Sequence, residues 1–145
     1  MNRQSDPRGT AVAALASLLF MPMGTIVRAA DEPKSAAVVK PLLTQDLANA
    51  PGKEGLMLTV EYVPGGAAAP HRHDAEVFVY VLEGTVVMQV DGQEPVTLKA
   101  GQTFREKPGD IHRQSKNASA TEPAKLLVFM VKDQGKPPTR PVASN

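Results

Sequence analysis

Between residues 54 and 132 the chain runs as a series of short β-rich segments, each closed by a glycine, proline or Asp-Gly turn. Residues 56–63 end at Pro64-Gly65-Gly66, and residues 77–82 end at Glu83-Gly84. The run 77–82 is apolar on both parities, which fits a strand buried on both faces. Residues 85–90 lead into Asp91-Gly92, a hairpin signal, because the turn that follows strand twist needs positive φ and glycine accepts it freely. Further segments follow at 95–99, 103–106, 110–116 and 124–132. Seven or eight short strands at roughly 8–12-residue spacing specify an antiparallel sandwich or small barrel. No phosphate loop, nucleophile elbow or internal repeat accompanies them.

The ends of the chain read differently. Arg3 and Arg8 precede an uncharged apolar run, residues 11–21, and Pro22 and Gly24 break it before Val27-Arg28-Ala29. This is the pattern of an export signal cleaved after Ala29. The apolar run of 11 residues is too short to serve as a membrane span, which needs about 20. Cleavage would leave 13 basic and 14 acidic side chains, a near-neutral chain with no electrostatic claim on nucleic acid or membrane surfaces. An exported or periplasmic location follows. The chain has no cysteine, so disulfides, thiolate metal sites and cysteine nucleophiles drop out together. Stability must come from core burial, a bound metal or a partner subunit. Residues 30–53, with prolines at 33, 41 and 51, read as an N-terminal arm with one strand at 36–43. Such an arm can pair with a neighbouring sheet, and a homodimer is expected. Residues 133–145 hold three prolines and read as a flexible tail.

The protein has three histidines, His71, His73 and His112. Two residues apart on a strand, His71 and His73 can aim both rings at one point. His112 follows Pro108-Gly109, a rigid turn that fixes where the next strand starts. Gly65, five residues, His71-Arg72-His73 and then Gly84 resemble the first motif of the cupin superfamily. Tyr80-Val81-Leu82-Glu83-Gly84 is also typical of that motif, and Gly101 through Pro108-Gly109-Asp110-Ile111-His112 resembles the second. Sixteen residues separate Gly84 from Gly101, which suits the small single-domain bacterial members. The resemblance spans residues 54–132. It implies an all-β, jelly-roll type barrel with a divalent metal held inside by His71, His73 and His112, a pocket open at one end, and frequent dimers.

Three positions depart from the family pattern. The first motif's glutamate position holds Val77, and Glu76 stands one residue early. A one-residue offset turns a strand side chain to the opposite face, so Glu76 reaches the metal only through a β-bulge. Lys107 replaces a usual proline and Lys116 a usual asparagine. The expected ligand set is therefore three neutral imidazoles and no carboxylate, which leaves a divalent ion near +2 and favours an anionic ligand. Gln114, two residues beyond His112, is the candidate for a fourth ligand or pocket donor. Of Arg105 and Glu106, alternation turns one inward. Iron, manganese, nickel, copper and zinc all accept imidazole. The Asn117-Ala118-Ser119 sequon is read as incidental. The leading functional expectation is a metal-dependent oxidoreductase of dioxygenase type acting on a small anionic organic substrate. The alternatives are a non-redox isomerase or lyase, and a non-enzymatic small-molecule or metal-binding module of the cell envelope.

Overall fold

The structure, a computed structural model, describes residues 36–142; the expected signal at 1–29 lies outside them. Among the described residues the chain forms strands and no helix. In order these are β1 (Ala37–Asp46), β2 (Lys53–Tyr62), β3 (Ala67–Ala68), β4 (His71–Arg72), β5 (Ala75–Glu83) and β6 (Thr85–Val90). Then follow β7 (Val96–Lys99), β8 (Thr103–Glu106), β9 (Ile111–Asn117), β10 (Ala124–Asp133) and β11 (Arg140–Pro141). They build two antiparallel sheets, one in the order β1-β2-β10-β5-β8 and the other in the order β11-β4-β9-β6-β7, with β3 beside β9. This is the antiparallel all-β architecture expected from the segment spacing, in the jelly-roll form that the family resemblance implies.

Alternation sets the core. Along β10 every second residue is buried, from Ala124 through Leu126, Val128 and Met130 to Lys132. Val77, Val79 and Val81 point inward from β5, and Val86 and Met88 face them from β6 in the other sheet. Lys132, the polar exception, pairs with Glu54 and caps the Lys136 carbonyl, so the buried charge is matched.

The outer face of β5 corrects the sequence reading. Phe78, Tyr80 and Leu82 are 45%, 44% and 38% exposed, so this strand buries one face and not two. No layer covers its other side among the described residues, and the apolar residues there form a surface.

The arm is also more structured than its prolines suggest. β1 pairs with β2 of its own chain from Ala37 opposite Tyr62 to Asp46 opposite Glu54, with a register shift between Pro41 and Leu43. Pro41 is tolerated because β1 is an edge strand whose free side needs no donor. The C-terminal stretch read as a tail returns to the barrel, where β11 sets Arg140 opposite Arg72 and Pro141 opposite His71. Its prolines favour extended backbone, which an edge strand accepts.

Gly84 carries the chain from one sheet to the other. Its φ is +75°, and a Cβ there would sit 2.6 Å from the Pro123 carbonyl oxygen. Glycine is required on both counts.

Candidate metal centre

The site is assembled where β4 and β9 pair. His71 stands directly opposite His112 in the ladder, and His73 follows two residues later on the same side. The two motifs are tied together by backbone: Gly109 N–H donates to the His73 carbonyl at 2.8 Å. The turn that delivers His112 is itself closed, since the Lys107 N–H donates to the Asp110 carboxylate at 2.9 Å and the Asp110 N–H to the Lys107 carbonyl at 3.1 Å.

The three rings converge. His71 lies 4.8 Å from His73 and 5.1 Å from His112, centroid to centroid. Phe104 stacks on the far side of His112 at 6.0 Å. One ligand atom from each imidazole can be chosen so that all lie within 4.8 Å of one another. His73 and His112 are buried, and His71 is half-buried.

Hydrogen bonds select the tautomers. His71 Nδ1 is 2.8 Å from the Ala69 carbonyl and His73 Nδ1 is 2.6 Å from the Pro138 carbonyl. A carbonyl only accepts, so each Nδ1 carries the proton and each Nε2 presents a lone pair. This is the outer-shell arrangement that orients metal-binding imidazoles. Burial, and then the neighbouring rings of His73 and His112, hold His71 below its ordinary imidazole value against the opposing Ala69 bond.

The three imidazoles form the expected cluster, but a carboxylate that the sequence reading did not place stands beside it. Glu106, on β8, points into the site and is 1% exposed. Its Oε1 is 3.2 Å from His112 Nδ1 and its Oε2 is 3.8 Å from His73 Nε2. Val77 does occupy the usual glutamate position, but its cross-strand partner is Glu106. The carboxylate therefore enters from the neighbouring strand. Burial alone pushes the Glu106 carboxyl up, and His112, His73 and His71 outweigh that and bring it below its ordinary range.

The other two candidates lie elsewhere. Glu76 faces outward, where it holds Arg105 at 2.8 Å, as a one-residue offset requires. Gln114 is not in the pocket: its amide donates to Gln89 at 2.9 Å. A register shift against β6, where Gln89 faces Gln114 but Val90 faces His112, inserts Arg113 as an extra residue. Such a bulge reverses the alternation beyond it, so Ser115, not Gln114, follows His112 into the interior.

The donor set fits a divalent cation. Both Glu106 oxygens and His112 Nε2 are buried without a well-formed hydrogen bond. Lone pairs crowded in this way repel one another, and a cation is what relieves them. Nitrogens bound at about 2.1 Å cannot stand more than about 4.2 Å apart, so a cluster whose ligand atoms lie up to 4.8 Å apart has to contract to bind, by at least about 0.6 Å at that separation.

The centre opens on a cavity of about 430 Å³ within the barrel. Aliphatic side chains from both sheets form most of its wall, and Pro138, Thr139 and Pro141 of the C-terminal stretch form part of its rim. Tyr62 and Ser115, both buried, share a hydrogen bond of 2.6 Å in its wall. Burial raises the Tyr62 phenol above its ordinary value, Ser115 opposes this, and the charge of Glu106 adds to it.

Two facing antiparallel sheets with three imidazoles converging between them, placed so that they could hold one metal ion, define a β-barrel protein with a candidate metal site in its interior. The cupin domain family matches residues 58–130, and the chain belongs to it. Solved structures agree on the fold. An uncharacterized conserved protein with a double-stranded β-helix domain from Klebsiella pneumoniae superposes with a TM-score of 0.58 at 19% identity, covering 76% of this chain and 86% of that one. Oxalate oxidase in complex with the substrate analogue glycolate gives 0.55 at 24% identity, over 72% of this chain and 54% of that one. The DMSP lyase DddQ from Ruegeria pomeroyi gives 0.52 at 23%, over 58% of this chain and 41% of that one. This chain thus spans about half the length of the oxidase and two-fifths of the lyase. No curated protein matches it.

Proposed function

We propose that this cupin is a metal-dependent oxidoreductase of dioxygenase type, with His71, His73, His112 and Glu106 holding one divalent ion. The observation that carries this reading is the unsatisfied Glu106 carboxylate buried among three imidazoles at the end of an organic-sized cavity. A divalent ion held there would supply Lewis acidity and, if redox-active, electrons for oxygen chemistry. The chain's own residues do the rest. The Ala69 and Pro138 carbonyls fix two rings, Phe104 packs the third, and Glu106 lowers the net charge of the site from about +2 to about +1. That charge still favours an anionic head group on the substrate. The apolar walls keep water away from the bound head group.

Oxygen-uptake assays on enolisable and phenolic acids, with metal loaded anaerobically, test the activity. Consumption of O₂ with substrate turnover, lost in His112→Ala, supports the reading. A fully loaded protein that turns over these acids without consuming O₂ points instead to the non-redox isomerase or lyase chemistry. Export, with cleavage after Ala29, belongs to the same proposal and is checked by N-terminal sequencing of the exported chain. So does a homodimer, and the exposed Phe78 and Tyr80 face is its candidate surface; light scattering decides it.

A further inference from the structure

The cavity next to the metal centre is chemically one-sided. Val60, Val79, Met88, Leu126, Val128 and Met130 contribute its walls, and no lysine or arginine lines it among the described residues. Its polar atoms away from the centre need nothing from a ligand. Tyr62 and Ser115 bond to each other at 2.6 Å, and Ser115 Oγ donates onward to Met88 Sδ at 3.4 Å. Glu106 is the charged group in the wall, and it is negative. A ligand with a second anionic group would have to bury that charge against aliphatic carbon with no cation to meet it, which is strongly disfavoured. An apolar body gains by leaving water instead. The volume of about 430 Å³ has room for roughly fourteen water-sized groups at about 30 Å³ each, enough for a single ring or a short branched chain beside the head group.

Resting on the metal-centre reading above, we infer that the ligand of this site is a small organic molecule with one metal-binding head and an uncharged apolar body. Acids that carry a second anionic group on the body, away from the metal-binding head, are excluded by the same walls.

The test uses the full chain and two sets of probes. On the zinc-loaded protein, titration calorimetry compares acetohydroxamate, benzohydroxamate and 4-carboxybenzohydroxamate, which share a head and differ in the body. Benzohydroxamate is expected to bind at least tenfold more tightly than either of the others. Val60→Phe, which narrows the cavity at a half-buried position, is expected to weaken benzohydroxamate several-fold more than acetohydroxamate. On the metal-stripped protein, ligand-observed NMR compares benzyl alcohol with benzoate, and benzyl alcohol alone is expected to bind. Equal binding of acetohydroxamate and benzohydroxamate, or a carboxylated probe as tight as its parent, overturns the inference. Loss of all hydroxamate binding with the benzyl alcohol preference intact removes the metal reading and supports the apolar cavity. Benzoate binding the stripped protein as well as benzyl alcohol does removes the cavity inference, whatever the metal does.

Discussion

Replacing Glu106 with glutamine separates what the carboxylate does for the fold from what it does for the site. The two side chains match in shape, so the core around Phe104 and Val77 stays filled. In the metal-free protein both Glu106 oxygens are buried and unpartnered. His112, and behind it His73 and His71, bring the Glu106 carboxyl below its ordinary range against its burial, so at pH 8 it is the carboxylate, not the acid, that glutamine replaces. A buried charge without a partner costs several kcal/mol even after relaxation, whereas a buried amide left unsatisfied costs about 1–3 kcal/mol. Glu106→Gln is therefore expected to stabilise the stripped protein by roughly 1–3 kcal/mol. At about 4 °C per kcal/mol for a domain of this size, the thermal midpoint should rise by roughly 4–12 °C. The same substitution should weaken metal binding by at least about a hundredfold, beyond what loss of an outer-shell group produces. Thermal scans with chelator present and competition against a chromophoric chelator, both at pH 8, read the two effects. A stripped variant that is less stable than the parent, or a metal affinity that does not change, refutes the reasoning.

Ending the chain at Lys136 removes the Pro138 carbonyl that orients His73 and the Arg140 ion pair with Asp74; metal affinity should fall about 10–100-fold, and unchanged chelator competition would contradict this. Because His71 is held below its ordinary value, the unfolded chain binds protons more readily than the folded one as pH falls through about 6.5. The metal-free protein should thus lose stability on acidification from about pH 6.5 toward that lowered value, with a shallower slope in His71→Gln; a urea midpoint that rises over that window would count against it. Gly84→Ala forces a left-handed backbone and a contact with the Pro123 carbonyl, so a cost of at least about 1–3 kcal/mol is expected, and a midpoint within error of the parent would show that the turn relaxes.

Much of this was legible in the residues themselves. Turn chemistry at Pro64-Gly65, Gly84, Asp91-Gly92 and Pro108-Gly109 marks the strand boundaries because positive φ and rigid φ have few alternatives. The convergence of His71, His73 and His112 follows from strand period and motif order. Glu106 was harder to place, although a local signal exists. Phe104 lies two residues before it, and an apolar residue turned inward takes its i+2 neighbour with it. What alternation along one strand does not contain is that β8 pairs with β5 to set Glu106 opposite Val77. Gln114 failed for the complementary reason: its position was counted across a bulge that only the ladder with β6 reveals. The seat of the C-terminal stretch depends on a partner strand, β4, of two residues, too short to carry a pattern.

The central claim is that three imidazoles and the Glu106 carboxylate hold one cation. Anomalous diffraction from crystals of the full chain loaded with cobalt or zinc tests it directly. The account predicts a single strong peak per chain bounded by Nε2 of His71 and His73, a ring nitrogen of His112 and a Glu106 oxygen, absent in His112→Ala. A peak on the barrel surface, or an interior left empty after saturating metal, would contradict it.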